Sequence, residues 1–246
     1  MNVRHLRNPP ITEAIFDLRA NLPSDVGVSD LEKFGEMIRD QYPKKKIRRR
    51  FESEHTIEEG GISKEKSNIQ PDGFLFLSED EKRIVQYRLD GFTYNKLKPY
   101  INWDEIFPEV QRVWKHYHEL VKPVLITRTA VRYINSIDLP FKEITLERYF
   151  TCPPKIPEGL PQDMTRFLLQ TITDDRSSGI KAIVTMNSSP PNKPDHTTLV
   201  LDIDIFKESS WMPGDADCWD VFKEFRALKN KIFFSYLTEE AIMLFE

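Results

Sequence analysis

Two sets of charges stand at strand spacing in the second half of the chain. Arg128 and Arg132 lie four residues apart in the run Leu125–Ile137, and Asp202 and Asp204 lie two apart in Thr197–Lys207. Residues i, i+2 and i+4 of a β-strand share a face. Arg128 and Arg132 therefore share one with Ala130 and Ile134, and Asp202 and Asp204 share one with Val200 and Phe206. Arg166 and Gln170 share a face of a strand read over Met164–Thr173, and Glu13, Asp17 and Arg19 share one face of Ile11–Leu22. Guanidinium groups hold carboxylates and phosphates through charge-assisted forks. A carboxylate pair offers hard oxygen ligands to a divalent cation. If helices cover the apolar face of these strands, the charges gather on the other. Three uses of that face stand open: a cleft in which Arg128, Arg132, Arg166, Gln170, Asp202 and Asp204 bind a small anionic ligand, a solvated face with cross-strand ion pairs, or a polar interface, a homodimer included.

Other chemistry finds little footing. There is no GxxxxGK[ST], GxGxxG or GxSxG, no HExxH and no Cys–His zinc spacing. No catalytic residue and no cofactor is assigned, and no dedicated metal site. His116 and His118 sit inside a helical stripe, where residues two apart point in different directions, and read as surface histidines. Cys152 stands beside Pro153-Pro154 without a local His, and Cys218 precedes Trp219. Neither has the setting of an activated nucleophile. Lys44–Arg50 is the strongest charge cluster. It reads as a solvated edge strand, since Lys and Arg protect sheet edges, or as a phosphate or nucleic-acid contact.

The elements that must carry these residues are β-rich. Ile11–Leu22 alternates apolar and charged positions as a strand does. Ser29 and Glu32 have the spacing of a capping box, and Leu31, Phe34, Ile38 and Tyr42 then recur at helical spacing up to Pro43. Lys44–Ile57 reads as a strand, Gly60 to Gly73 as a polar loop, and Gly73–Leu77, Arg83–Leu89 and Phe92–Leu97 as three strands, with Asp90-Gly91 the turn of a hairpin. Asn102–Val121 carries Ile106, Val110, Val113, Trp114, Tyr117 and Leu120 as the apolar stripe of a helix. Leu125–Ile137 is β-branched and aromatic. A short helix is read over Thr145–Phe150, a stiff proline-rich linker over Cys152–Pro161, and strands over Met164–Thr173, Ile180–Asn187 and Thr197–Lys207. Asp217 or Asp220 caps a helix with Val221, Phe222, Phe225, Leu228, Ile232 and Phe233. Thr238-Glu239-Glu240 opens a last short one.

The order strand, helix, antiparallel strands, long helix occurs twice. Ala14–Pro23 compares with Arg132–Pro140, Leu89–Tyr94 with Leu201–Phe206, and Trp103 with Trp219. The expected fold is therefore α+β: one domain over 1–246, a large antiparallel sheet with helices packed on one face, and two related β-α-β(3)-α units at 9–121 and 122–246.

The 246 residues are 39% hydrophobic and 11% aromatic, enough for a packed core and outside the disordered regime. Two distant cysteines exclude a disulfide scaffold. Lys and Arg total 35 against 39 Asp and Glu, a net charge of −4, whereas a dedicated nucleic-acid binder shows a basic excess. No run approaches a membrane span, and the opening Met1–Pro10 lacks the apolar segment of a signal peptide. A cytoplasmic location is expected.

The segments Asn8–Ile15, Arg132–Ile137, Leu228–Phe234 and Thr238–Ala241 carry a resemblance. Through them the chain resembles a sporadically distributed family of uncharacterised bacterial proteins of similar length. The resemblance implies a bacterial origin and transfers no activity, cofactor or catalytic residue. The function expected is a binding or interaction module that senses a small anionic ligand in a polar cleft on the sheet. Two alternatives stand beside it: a Mg²⁺-dependent enzyme acting on a phosphorylated or nucleotide substrate through Asp202 and Asp204, and a protein-partner module of a mobile or defence gene cassette.

Overall fold

A computed structural model describes residues 4–57, 63–139 and 145–246. The elements in chain order are β1 (Ile11–Asn21), α1 (Val28–Ile38), β2 (Lys44–Ile57), β3 (Ser63–Leu77), β4 (Arg83–Arg88), β5 (Gly91–Leu97), α2 (Trp103–Val121), β6 (Leu125–Leu139), a 3-10 turn (Leu146–Arg148), β7 (Leu168–Asp175), β8 (Ile180–Ser189), β9 (Thr197–Trp211), α3 (Asp217–Tyr236) and α4 (Glu239–Met243). The strands form one sheet in the order β2-β3-β4-β5-β1-β6-β9-β8-β7. Every neighbouring pair is antiparallel. The fold is α+β with a large antiparallel sheet, as the alternating patterns imply.

The two faces of the sheet separate by residue parity. Ala14, Phe16 and Leu18 of β1, Val85 and Tyr87 of β4, and Leu201, Ile203 and Ile205 of β9 are all buried on the helix side. Over the centre of the sheet α2 and α3 meet through rings. Phe16 lies 5.1 Å from Trp103 and 6.3 Å from Phe222, and Phe107 lies 5.5 Å from Phe222 and 5.8 Å from Trp219, measured between centroids. Asn102 caps α2, its side-chain oxygen accepting from the Glu105 backbone N–H at 2.9 Å. In α2 the expected stripe is buried except for Leu120. Leu31, Ile38 and Tyr42 are buried on or just after α1, while the side chain of Phe34 lies outside the described residues.

Several expectations need correction. Ser63–Asp72 is strand, not loop, because it pairs with β2, with one register shift at Asp72; residues 60–62 of that reading lie outside the described residues. Helix α1 starts at Val28, and it is the Asp30 carboxylate that accepts the Gly27 N–H at 3.0 Å, so Ser29 is not the cap. It also ends at Ile38, ahead of Tyr42. Residues Thr145–Phe150 make only a single 3-10 turn. The N-cap of α3 is Ala216, not Asp217 or Asp220. Strand β7 begins at Leu168, four residues later than expected, because the segment from Cys152 to Phe167 makes no ladder with β8.

At the middle of the sheet β1 pairs with β6. From β1 the strands run outward as β5, β4, β3, β2, and from β6 as β9, β8, β7. The two related β-α-β(3)-α units are not shown: the first half runs β1, α1, four strands and α2, the second β6, a 3-10 turn, three strands and the two helices α3 and α4.

Candidate functional site: the open face and outer edge of the sheet

The helix-free face carries a lattice of charges built by register. Asp17 on β1 lies opposite Thr93 on β5 and Ala130 on β6. Its carboxylate accepts from Thr93 Oγ1 at 2.7 Å and from an Arg88 guanidinium nitrogen at 3.0 Å. It also meets Arg128 at 3.3 Å. Arg128 reaches Asp204 at 3.5 Å on its other side and lies 4.4 Å from the centroid of Phe206. Arg132 forks onto Asp202 at 2.9 and 2.5 Å. Toward the first half, Gln86 donates to Asn95 at 2.9 Å and Asn95 to Glu13 at 2.6 Å. Arg88 and Arg50 both hold Asp90, at 2.9 and 3.0 Å.

Burial sets the electrostatics. The Arg88, Asp17 and Arg128 side chains are 10%, 14% and 14% exposed, whereas Arg132 is 47% exposed. Burial lowers the pKa of Arg128, against the pull of Asp204 and Asp17. Burial likewise raises that of Asp204, with Arg128 and Arg132 opposing. Both shifts disfavour the charged forms, as a loose contact of 3.5 Å in a poorly solvated place should. At Arg88 burial also works against the charge, but Asp17 and Asp90 outweigh it and the pKa is raised. The hydrogen bonds that Arg132 donates to Asp202 raise its own pKa.

The structure thus brings Arg128, Arg132, Asp202 and Asp204 together on β6 and β9. Gln170 lies on the same face, two strands further out, bonded to Thr185 at 2.9 Å. Arg166 does not join them. It precedes β7 in an irregular segment and is exposed. Arg88 and Thr93 were invisible as members of the lattice, because only the placement of β5 beside β1, with β4 beside β5, brings them to Asp17.

Beyond Gln170 the sheet ends at β7, and no described strand covers its outer side. On the open face β7 presents Leu168 and Ile172, 73% and 66% exposed. Its sequence, LLQTITDD, holds no Lys, Arg or Pro. The opposite edge, β2, differs: Lys44, Lys45, Lys46, Arg48, Arg49 and Arg50 guard it. Charge and Pro are the usual protections of an edge, and β7 has only the two acidic residues at its end.

The remaining candidates are placed as follows. Cys152 is exposed. Cys218 is buried, and burial pushes its thiol pKa up to about 12, away from a thiolate. His116 and His118 are half-buried on α2. Among the described residues no group of three or more His, Cys, Asp or Glu is arranged to hold a metal ion. None of the described helices is long and apolar enough to cross a membrane. No protein-family model matches the chain, and no curated protein matches it either.

Proposed function

We propose that this chain is a binding and interaction module, and that an extended segment of a protein partner adds to the sheet along β7. The observation that carries this reading is the unguarded outer edge of Leu168–Asp175, set against the six basic residues that guard the other edge. An edge strand offers unpaired backbone N–H and C=O groups to an incoming strand, and side chains at alternate positions select it. Leu168 and Ile172 are four apart and share the open face with Ile183 of β8, opposite Ile172. A partner strand with apolar residues two or four apart fits that row.

The lattice on the same face as Leu168 and Ile172, separated from β7 by β8, supports recognition by a polar surface. Its guanidinium groups are already fixed by carboxylates, so presenting them to a partner requires little further ordering. A small anion on Arg128 or Arg132 would have to displace Asp204 or Asp202. Displacement is easiest at Arg132, which is half exposed. Mg²⁺ chemistry at Asp202 and Asp204 would likewise compete with the two arginines. A bacterial role in a mobile or defence cassette belongs to the same proposal, resting on the resemblance of the chain, and a cytoplasmic location goes with it, supported by the two distant cysteines.

The test is a selection of displayed peptides on the wild-type protein, followed by titration against Leu168→Lys/Ile172→Lys. Both side chains are mostly exposed, so the fold should persist, with an unchanged thermal midpoint. Selected peptides should alternate apolar residues and lose on the order of tenfold or more in affinity on the variant, about 1.4 kcal/mol. Peptides that bind both proteins equally would refute docking at this edge. Self-association abolished by the same variant would make the occupant a second copy of the chain.

A further inference from the structure

On the opposite side of the sheet, a cavity of about 90 Å³ lies between the N-terminal segment, the start of α2 and the middle of α3. Pro9, Pro10, Tyr100 and Phe233 supply apolar wall, and the basic side chains on it are Arg4, Arg226 and Lys229, with His5 beside them. No carboxylate lines it among the described residues.

The three cations differ in one respect. Arg4 is held by Glu239 at 2.8 Å and by Glu246 at 2.6 Å. Arg226 forks onto Asp104 at 2.8 and 2.9 Å. Lys229 has no carboxylate among the described residues, and its ammonium sits 4.3 Å from the centroid of the buried Tyr133 ring. Three amides also line the cavity, Asn102, Asn135 and Asn230, and none carries a charge that could balance the ammonium. Asn135 donates to the Leu201 carbonyl at 2.9 Å, and Asn102 caps α2. A ring face satisfies an ammonium only in part, so one positive charge in the cavity lacks an anion.

We propose that this cavity binds a small organic monoanion, a carboxylate on a short apolar stem, with Lys229 as its counter-ion. One uncompensated charge matches a monoanion better than a phosphate dianion. Apolar walls match a hydrocarbon stem. The volume is several times what one water needs and below the roughly 150 Å³ that takes benzene, so the stem is short. The site is independent of β7, which lies at the far end of the sheet.

Burial, with a smaller contribution from Arg226, lowers the pKa of Lys229 to about 8. A bound carboxylate should raise it again. The other titratable groups around the ammonium are Tyr133 beneath it, Tyr100 whose hydroxyl lies 3.3 Å from that of Tyr133, the Asp104-bound Arg226, and Arg4 and His5.

The test is calorimetric titration at pH 7 of wild type, Lys229→Met and Lys229→Gln with acetate, propionate, butyrate, benzoate and inorganic phosphate. Met keeps the length and removes the charge; Gln keeps a polar end should Met disturb the fold. A short carboxylate should bind the wild type and weaken on the order of tenfold or more in a folded variant. Equal binding by the folded variants, a preference for phosphate, or no carboxylate binding to the wild type would each overturn the assignment.

Discussion

Asp17 is the residue on which the open face turns. It accepts from Thr93 and Arg88 and pairs with Arg128, and both guanidinium groups are largely buried. Removing one partner of a buried ion pair leaves an uncompensated charge, which costs roughly 3–5 kcal/mol. Asp17→Asn should therefore destabilise the protein by about 3 kcal/mol in urea denaturation, whereas Arg132→Ala, at a half-exposed pair, should cost about 1 kcal/mol or less. Equal losses would show that burial does not rank these pairs. A second prediction concerns Lys229. Its folded pKa lies near 8, below the ordinary 10.5 of a lysine. Between those values the unfolded chain binds a proton that the folded chain does not, so stability rises with pH across that window. Relative to Lys229→Met, the wild type should gain stability from pH 8 to pH 10, read from paired denaturation curves. A flat difference would mean that the amine is not desolvated. The parity of Arg128, Arg132, Asp202 and Asp204 was legible in the sequence, because a period of two fixes which side chains share a face. Their partners were not. Asp17, Arg88 and Thr93 meet only through strand order, which no local pattern encodes.

Among the elements, the β4–β5 hairpin shows how one backbone position sets a register. The sequence places Asp90-Gly91 at the turn, and the structure puts Leu89 and Asp90 there with Gly91 opening β5. Gly91 has a φ of +142°, and a Cβ at this site would lie 2.2 Å from the Leu18 carbonyl oxygen of β1. Gly91→Ala should then lower stability by more than about 1 kcal/mol, the scale of an incompatible glycine replacement. An unchanged thermal midpoint would show that β1 and β5 can move apart. The elements misread were those whose partners decide them. Polar Ser63–Asp72 looks like loop until β2 pairs with it, and Arg166 looks like strand until the ladder with β8 starts at Leu168. The long amphipathic α2 and the β-branched β6 were read to within two residues, since their own periodicity determines them.

In the whole molecule, two helices lock the halves together over the central β1–β6 pair. Phe222 of α3 stacks with Trp219 and meets Phe16, Phe107 and Phe225. It is fully buried. Phe222→Ala should cost roughly 3–5 kcal/mol, seen as a single shifted transition if the halves unfold together. Two separated transitions would mean that the halves are energetically independent. Among the described residues no helix covers the other face of the nine-stranded sheet, which has a guarded edge at β2 and an unguarded one at β7. The most direct measurement of the central claim is amide hydrogen exchange with and without a selected peptide. Strand addition predicts slowed exchange for amides within Leu168–Asp175, with β2 unchanged. Bound peptide without any protection in β7 would contradict it.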